Sequence, residues 1–165
     1  MIRFFGGRVM ALANGIETQD IEVWTEGSKI VFVGKPKAEE LDGKVFEREY
    51  DLKGNLLMPS FKNAHTHSAM TFLRSYADDM PLQDWLFKQI FPMEAKLDGE
   101  KVYWLTKLAI LEYLTTGCTA AFDMYFELDD YVKACIESGF RSVLCGAVSG
   151  DKSNLETVSY THLRA

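Results

Sequence analysis

Cysteine and histidine are scarce in this chain, with three of each, and proline occurs only four times. The cysteines, Cys118, Cys135 and Cys145, are odd in number and form no C-x-x-C pair. That pattern suits reduced thiols in a cytoplasmic protein better than a disulfide framework, and as small apolar side chains they belong in the core. Also missing is any apolar run near the roughly 20 residues of a membrane span, and the N-terminus lacks the basic-then-apolar pattern of a signal peptide. The expectation is a cytoplasmic protein with no membrane partner. Clustered Lys and Arg are absent too, and the formal charge is −6, so nucleic acid is not an expected partner. What remains is ordinary globular composition, 47% hydrophobic and 25% charged over 165 residues, enough for a sizeable core.

Up to about Tyr50 the chain alternates in short runs: Ile2 to Phe5, Arg8 to Leu12, Ile21 to Thr25, Lys29 to Val33 and Val45 to Tyr50. These read as strands, with Glu26-Gly27-Ser28 as a hairpin in which Gly27 is free to take positive φ. A small β-sandwich half is expected over residues 1–54. After Gly54 strand and helix alternate. Asn55 to Ala64 reads as a continuous apolar strand buried on both faces, Ser68 to Tyr76 as a short helix or turn, and Leu82 to Phe91 as a helix stopping before Pro92. Val102, Leu105, Leu108, Ala109, Leu111 and Leu114 recur at helical spacing over Gly99 to Thr116, with Gly117 as the cap, predicting one long amphipathic helix. Thr119 to Asp123 and Arg141 to Val148 read as strands flanking a helix from Leu128 to Glu137 closed by Gly139. This order predicts an α/β fold with parallel pairing.

The apolar run Leu56-Leu57-Met58-Pro59 leads into Phe61-Lys62-Asn63-Ala64-His65-Thr66-His67. Two imidazoles two residues apart on a strand project to one side and can share a divalent ion; equally, an H-x-H pair can be two exposed polar residues at a strand end. Leu57 to Met70 resembles the first barrel strand of the amidohydrolase superfamily, with Ser60 where that pattern has Gly. Met80-Pro81-Leu82-Gln83-Asp84-Trp85-Leu86 and Ile90-Phe91-Pro92-Met93-Glu94-Ala95-Lys96-Leu97 are similar to further signatures of its branch of 5-methylthioadenosine/S-adenosylhomocysteine deaminases.

The resemblance implies the N-terminal part of a TIM (β/α)₈ barrel. About three of its strands lie in residues 55–157, preceded by a β-sandwich half that lacks its partner strands. It implies Zn²⁺ or another divalent first-row metal on His65 and His67, with the other ligands and the acid–base residues outside this sequence, so that the chain as written is inactive. It further implies a small-molecule nucleoside substrate, with Glu94 accepting from the ribose hydroxyls and Trp85 walling the pocket. Read without it, Glu94 is a solvated helix residue and Trp85 a core residue. Asp123, at a strand end, is either a site residue or a helix cap. Alternatives are a guanine deaminase-like or triazine hydrolase-like enzyme, for which a ribose-binding Glu94 has no use, and a short non-catalytic protein. Residues 158–165 resemble the translated end of a transposon adapter used in sequencing libraries. They are set apart from the fold, and His162 with them.

Overall fold

A computed structural model describes residues 1–11 and 16–146. Leu12, the end of the third expected barrel strand at Val148 and the adapter-like residues 158–165 lie outside the described residues. The chain divides into two compact units, Met1–Pro59 and the part from Ser60 onward.

The first unit holds two sheets. One has the order β5-β4-β1-β6, made of β1 (Ile2–Phe5), β4 (Glu22–Glu26), β5 (Lys29–Gly34) and β6 (Arg48–Asp51); the other joins β3 (Glu17–Gln19), β2 (Arg8–Ala11) and β7 (Leu56–Leu57). The β4–β5 hairpin turns at Gly27, whose φ of 56° suits a residue without Cβ. Trp24 is buried against Phe32 and Phe46, and the Arg3 guanidinium lies over Phe46 while binding Glu22 and Glu49. Two elements had no signal strong enough to read: β3, three exposed residues, and α1 (Ala38–Leu41), a single turn.

In the second unit β8 (Phe61–Thr66), β9 (Cys118–Tyr125) and β10 (Arg141–Gly146) form a parallel sheet in the order β10-β9-β8. Helix α4 (Gly99–Thr115) crosses from β8 to β9, and α5 (Leu128–Ser138) from β9 to β10. The Asp98 carboxylate caps α4 by accepting from the Lys101 amide, and Gly117, at φ 84°, lets the chain turn back into β9. Ala69, Val102, Ile110, Ala121, Tyr131, Phe140 and Leu144 make the core between helices and sheet. Each fully buried aliphatic side chain there contributes about 1.5–3 kcal/mol.

Three expectations need correction. The continuous strand from Asn55 to Ala64 is two strands, β7 and β8, which belong to different units; Pro59, between them, has no N–H to continue a ladder. Nor is β8 buried on both faces, since Phe61 is 60% exposed. The helix expected to stop before Pro92 instead runs through it. Helix α2 (Leu82–Asp84) passes into a π-helical segment, Trp85–Ile90, and then α3 (Phe91–Glu94), with Pro92 in the first turn of α3. The Phe91 amide reaches back five residues to Leu86. That wider turn accommodates a residue that cannot donate and would crowd the preceding carbonyls. Finally, α4 is not amphipathic in the expected sense. It buries Val102, Thr106, Ala109 and Ile110 but exposes Leu108, Leu111 and Leu114.

Candidate active site

The two candidate histidines lie at the C-terminal end of a parallel strand. His65 is the penultimate residue of β8, and His67 lies just past it, with φ −132° and ψ 77°, where the chain enters a 3₁₀ segment, Ser68–Leu73. Strict alternation therefore does not extend to His67, and the β8–β9 register also slips between Asn63 and Thr66. A bulge of this kind re-aims side chains at a strand end. The two rings still converge, with centroids 5.0 Å apart and planes at 80°.

That spacing can be compared with what one ion requires. An imidazole nitrogen lies about 1.1 Å from its ring centre and binds zinc at about 2.0–2.1 Å, so two rings sharing an ion at a near-tetrahedral angle have centres about 5 Å apart. The separation of the two rings is the one a shared divalent ion would require. His67 Nδ1 lies 2.8 Å from the Met124 carbonyl oxygen. A carbonyl only accepts, so Nδ1 carries the proton and Nε2 keeps its lone pair free for a cation. Among the described residues no group of three or more His, Cys, Asp or Glu side chains converges.

Beside His67 opens a cavity of about 290 Å³ lined by His67, Met70, Trp85, Leu86, Ile90, Phe91, Glu94, Met124, Tyr125 and Phe126. It brings together three of the four residues singled out from sequence, His67, Trp85 and Glu94; His65 reaches the site through its contact with His67. Trp85 and Glu94 are supplied by the π-helical segment and the helical turn after it, so the irregular helix builds one wall. Glu94 is half-buried. Its Oε1 accepts a hydrogen bond from the Tyr125 hydroxyl at 2.9 Å. Burial pushes the Glu94 carboxyl above the usual carboxylate range, opposed by the Tyr125 hydrogen bond and the nearby His67; burial and the Glu94 charge together drive the Tyr125 phenol well up. An apolar chamber with one carboxylate and one imidazole edge suits a flat, weakly polar ligand bearing hydroxyl groups.

Sequence reasoning did not assign Tyr125 or the Met124 carbonyl. The available signal was their place at the end of β9, the same end at which β8 delivers its histidines. Asp123, weighed as a site residue or a cap, lines no part of the cavity. It is fully buried, and its carboxylate accepts from the Ser68 amide, the Ser68 hydroxyl and the Tyr131 hydroxyl. Burial raises its pKa against the pull of those donors. Ser60, in the place of a Gly, is not among the residues with positive φ, and its hydroxyl meets that of Thr119 at 2.5 Å.

Parallel strands joined by helices, with an H-x-H pair at a strand's C-terminal end beside an apolar cavity, define an α/β protein whose candidate site lies where such sheets carry their sites. The chain belongs to the amidohydrolase family, whose model matches residues 56–161. It is 42% identical over 135 residues to a 5-methylthioadenosine/S-adenosylhomocysteine deaminase of Desulfitobacterium hafniense, covering 82% of this chain and 31% of that protein. It is 52% identical over 108 residues to a 5'-deoxyadenosine deaminase of Methanospirillum hungatei, covering 64% and 24%. Among solved structures it superposes on an adenosine deaminase from Xanthomonas campestris with bound zinc at a TM-score of 0.79 and 33% identity, covering 86% of this chain and 33% of the other. The chain thus spans between about a quarter and a third of the length of the curated relatives it matches.

Proposed function

We propose that this chain is the N-terminal part of a metal-dependent aminohydrolase with a TIM (β/α)₈ barrel, which hydrolyses the amino group from adenosine-type thioethers such as S-adenosylhomocysteine or 5-methylthioadenosine. Water adds to the amidine carbon, the C–N bond breaks, and ammonia leaves. His65 and His67 would hold the ion, Zn²⁺ by analogy with the zinc-bound relative, together with ligands beyond the described residues. A divalent ion in that place supplies a water acidified toward neutrality. Residues 1–54 form the β-sandwich half and 55–157 the first β/α units. Such a protein would work in the cytoplasm, where Cys118, Cys135 and Cys145 stay as the free thiols they are.

The observation that carries this reading is the placement of Glu94 in the same cavity as His67 and Trp85. A carboxylate accepts and never donates when ionised, which matches a vicinal diol. Trp85 offers the flat wall a purine needs. The amidohydrolases that act on guanine or triazines have no sugar to bind, so Glu94 favours a nucleoside over those substrates.

The test is Glu94→Gln in the complete enzyme. Removing the charge weakens charge-assisted hydrogen bonds by about 1–3 kcal/mol, so kcat/KM for adenosylhomocysteine is expected to fall about ten- to a hundredfold. For the free base, which has no ribose, it should stay unchanged. An equal decline for both substrates, at normal metal content and melting temperature, would sink the nucleoside assignment.

A further inference from the structure

We propose that Asp123 is a positioning residue for His67, acting through Ser68 and Tyr113 rather than by contact with metal or substrate. The inference rests on reading His67 as a metal ligand. His67 sits between two residues that are pinned from behind. On one side Thr66 Oγ1 meets the Tyr113 hydroxyl at 2.6 Å; on the other Ser68 Oγ meets the same hydroxyl at 2.9 Å. Ser68 is anchored further by Asp123, which accepts from its amide at 3.1 Å and from its hydroxyl. Tyr131, wholly buried, donates to Asp123 Oδ2 at 2.5 Å and holds the carboxylate in place. Asp123 also precedes Met124, whose carbonyl sets the tautomer of His67. One buried residue thus governs the backbone after His67 and the strand that holds its ring.

The chemistry of the position argues for more than packing. A carboxylate with no exposed surface is expensive to bury, and neighbouring β9 positions facing the helices carry cheaper side chains, such as Ala121. Because a ligand-bearing turn fixed at three points loses little freedom when the ion binds, loosening one point should weaken the ion more than it weakens the fold. Substitutions behind metal ligands typically cost ten- to a hundredfold in metal affinity.

The experiment is zinc titration of the complete apo-enzyme against a competing chelator, with melting temperature measured in parallel. Asp123→Asn and Ser68→Ala are compared with Val102→Ala, a core truncation in α4 away from His67 that serves as the stability control. Zinc binding should weaken about tenfold or more in Asp123→Asn and in Ser68→Ala, and less than twofold in Val102→Ala at a similar loss of melting temperature. If Asp123→Asn does not fold, Ser68→Ala decides alone, since its backbone N–H still donates to the Asp123 carboxylate. A folded Ser68→Ala with unchanged zinc affinity overturns the proposal and leaves Asp123 as a cap of the 3₁₀ turn. A His67→Ala control separates the two readings. If that variant also binds zinc normally, the metal assignment has failed; if it loses zinc while the Asp123 and Ser68 variants keep it, only the positioning role has.

Discussion

Tyr125 spends its hydroxyl on Glu94, and this one bond shapes both the direction and the charge of the carboxylate. With Oε1 tethered, the carboxylate is held at the cavity wall in one orientation. Tyr125→Phe in the complete enzyme removes the tether without changing the wall. The expected result is a rise in KM for nucleosides of about fivefold, the size of a net hydrogen bond near 1 kcal/mol, with kcat nearly constant. There is a pH consequence as well. Burial already raises the Glu94 pKa and the Tyr125 bond opposes that rise, so its loss raises the pKa further. The proposed ribose recognition needs the ionised form, which disappears as pH falls through the raised value. The acidic limb of the nucleoside kcat/KM profile should therefore move to higher pH in Tyr125→Phe; a limb that stays in place would mean that Glu94 is not the group being read.

Helix α4 shows how an element can satisfy a pattern and still depart from it. Its sequence spacing reads as one apolar stripe, yet the buried face includes Thr106, whose fully buried hydroxyl has no hydrogen-bond partner among the described residues, while Leu108, Leu111 and Leu114 face outward. A buried unsatisfied hydroxyl costs about 1–3 kcal/mol, so Thr106→Val, similar in shape, should stabilise the protein by roughly 1 kcal/mol, seen as a higher denaturant midpoint at unchanged slope. A midpoint that falls would indicate that the hydroxyl has a partner. Period alone shows that a helix exists and how long it is, which is why α4 and α5 were legible along with Gly117 and Gly139, which follow them. It does not show which of two apolar faces will find a neighbour. The segment around Pro92 was misread for a related reason: proline usually ends helices, and only the backbone reveals a π-turn that lets one continue. At the site, His65, His67, Trp85 and Glu94 could be picked out because they sit in recognisable wording. Tyr125 could not, because its partner lies 31 positions away and nothing local marks the pair.

At the scale of the whole molecule, the sheet formed by β8, β9 and β10 is covered on one face by α4 and α5, and its other face is apolar and open. Phe122, Met124 and Val143 are 47, 38 and 38% exposed; alternation along β9 and the Phe122–Val143 pairing place them together, opposite the buried Ala121, Asp123, Tyr125 and Leu144. The outer edge of β8 has no strand beside it among the described residues. An apolar sheet face next to an unpaired edge is the usual template for association, both by burial of the face and by addition of a strand. The 165-residue chain purified alone is therefore expected to self-associate, with sedimentation giving species larger than a monomer and an environment-sensitive apolar dye binding strongly. Phe122→Lys separates the two causes. It lies on the central strand, so it places a charge in the open face without touching the β8 edge. If the face drives association, this change should shift the distribution toward monomer and lower dye binding; if the edge does, association should persist while dye binding falls. A parent chain that is monomeric, binds no dye and melts in one sharp cooperative transition would contradict both, because it would require the open face to be stable in water as it stands.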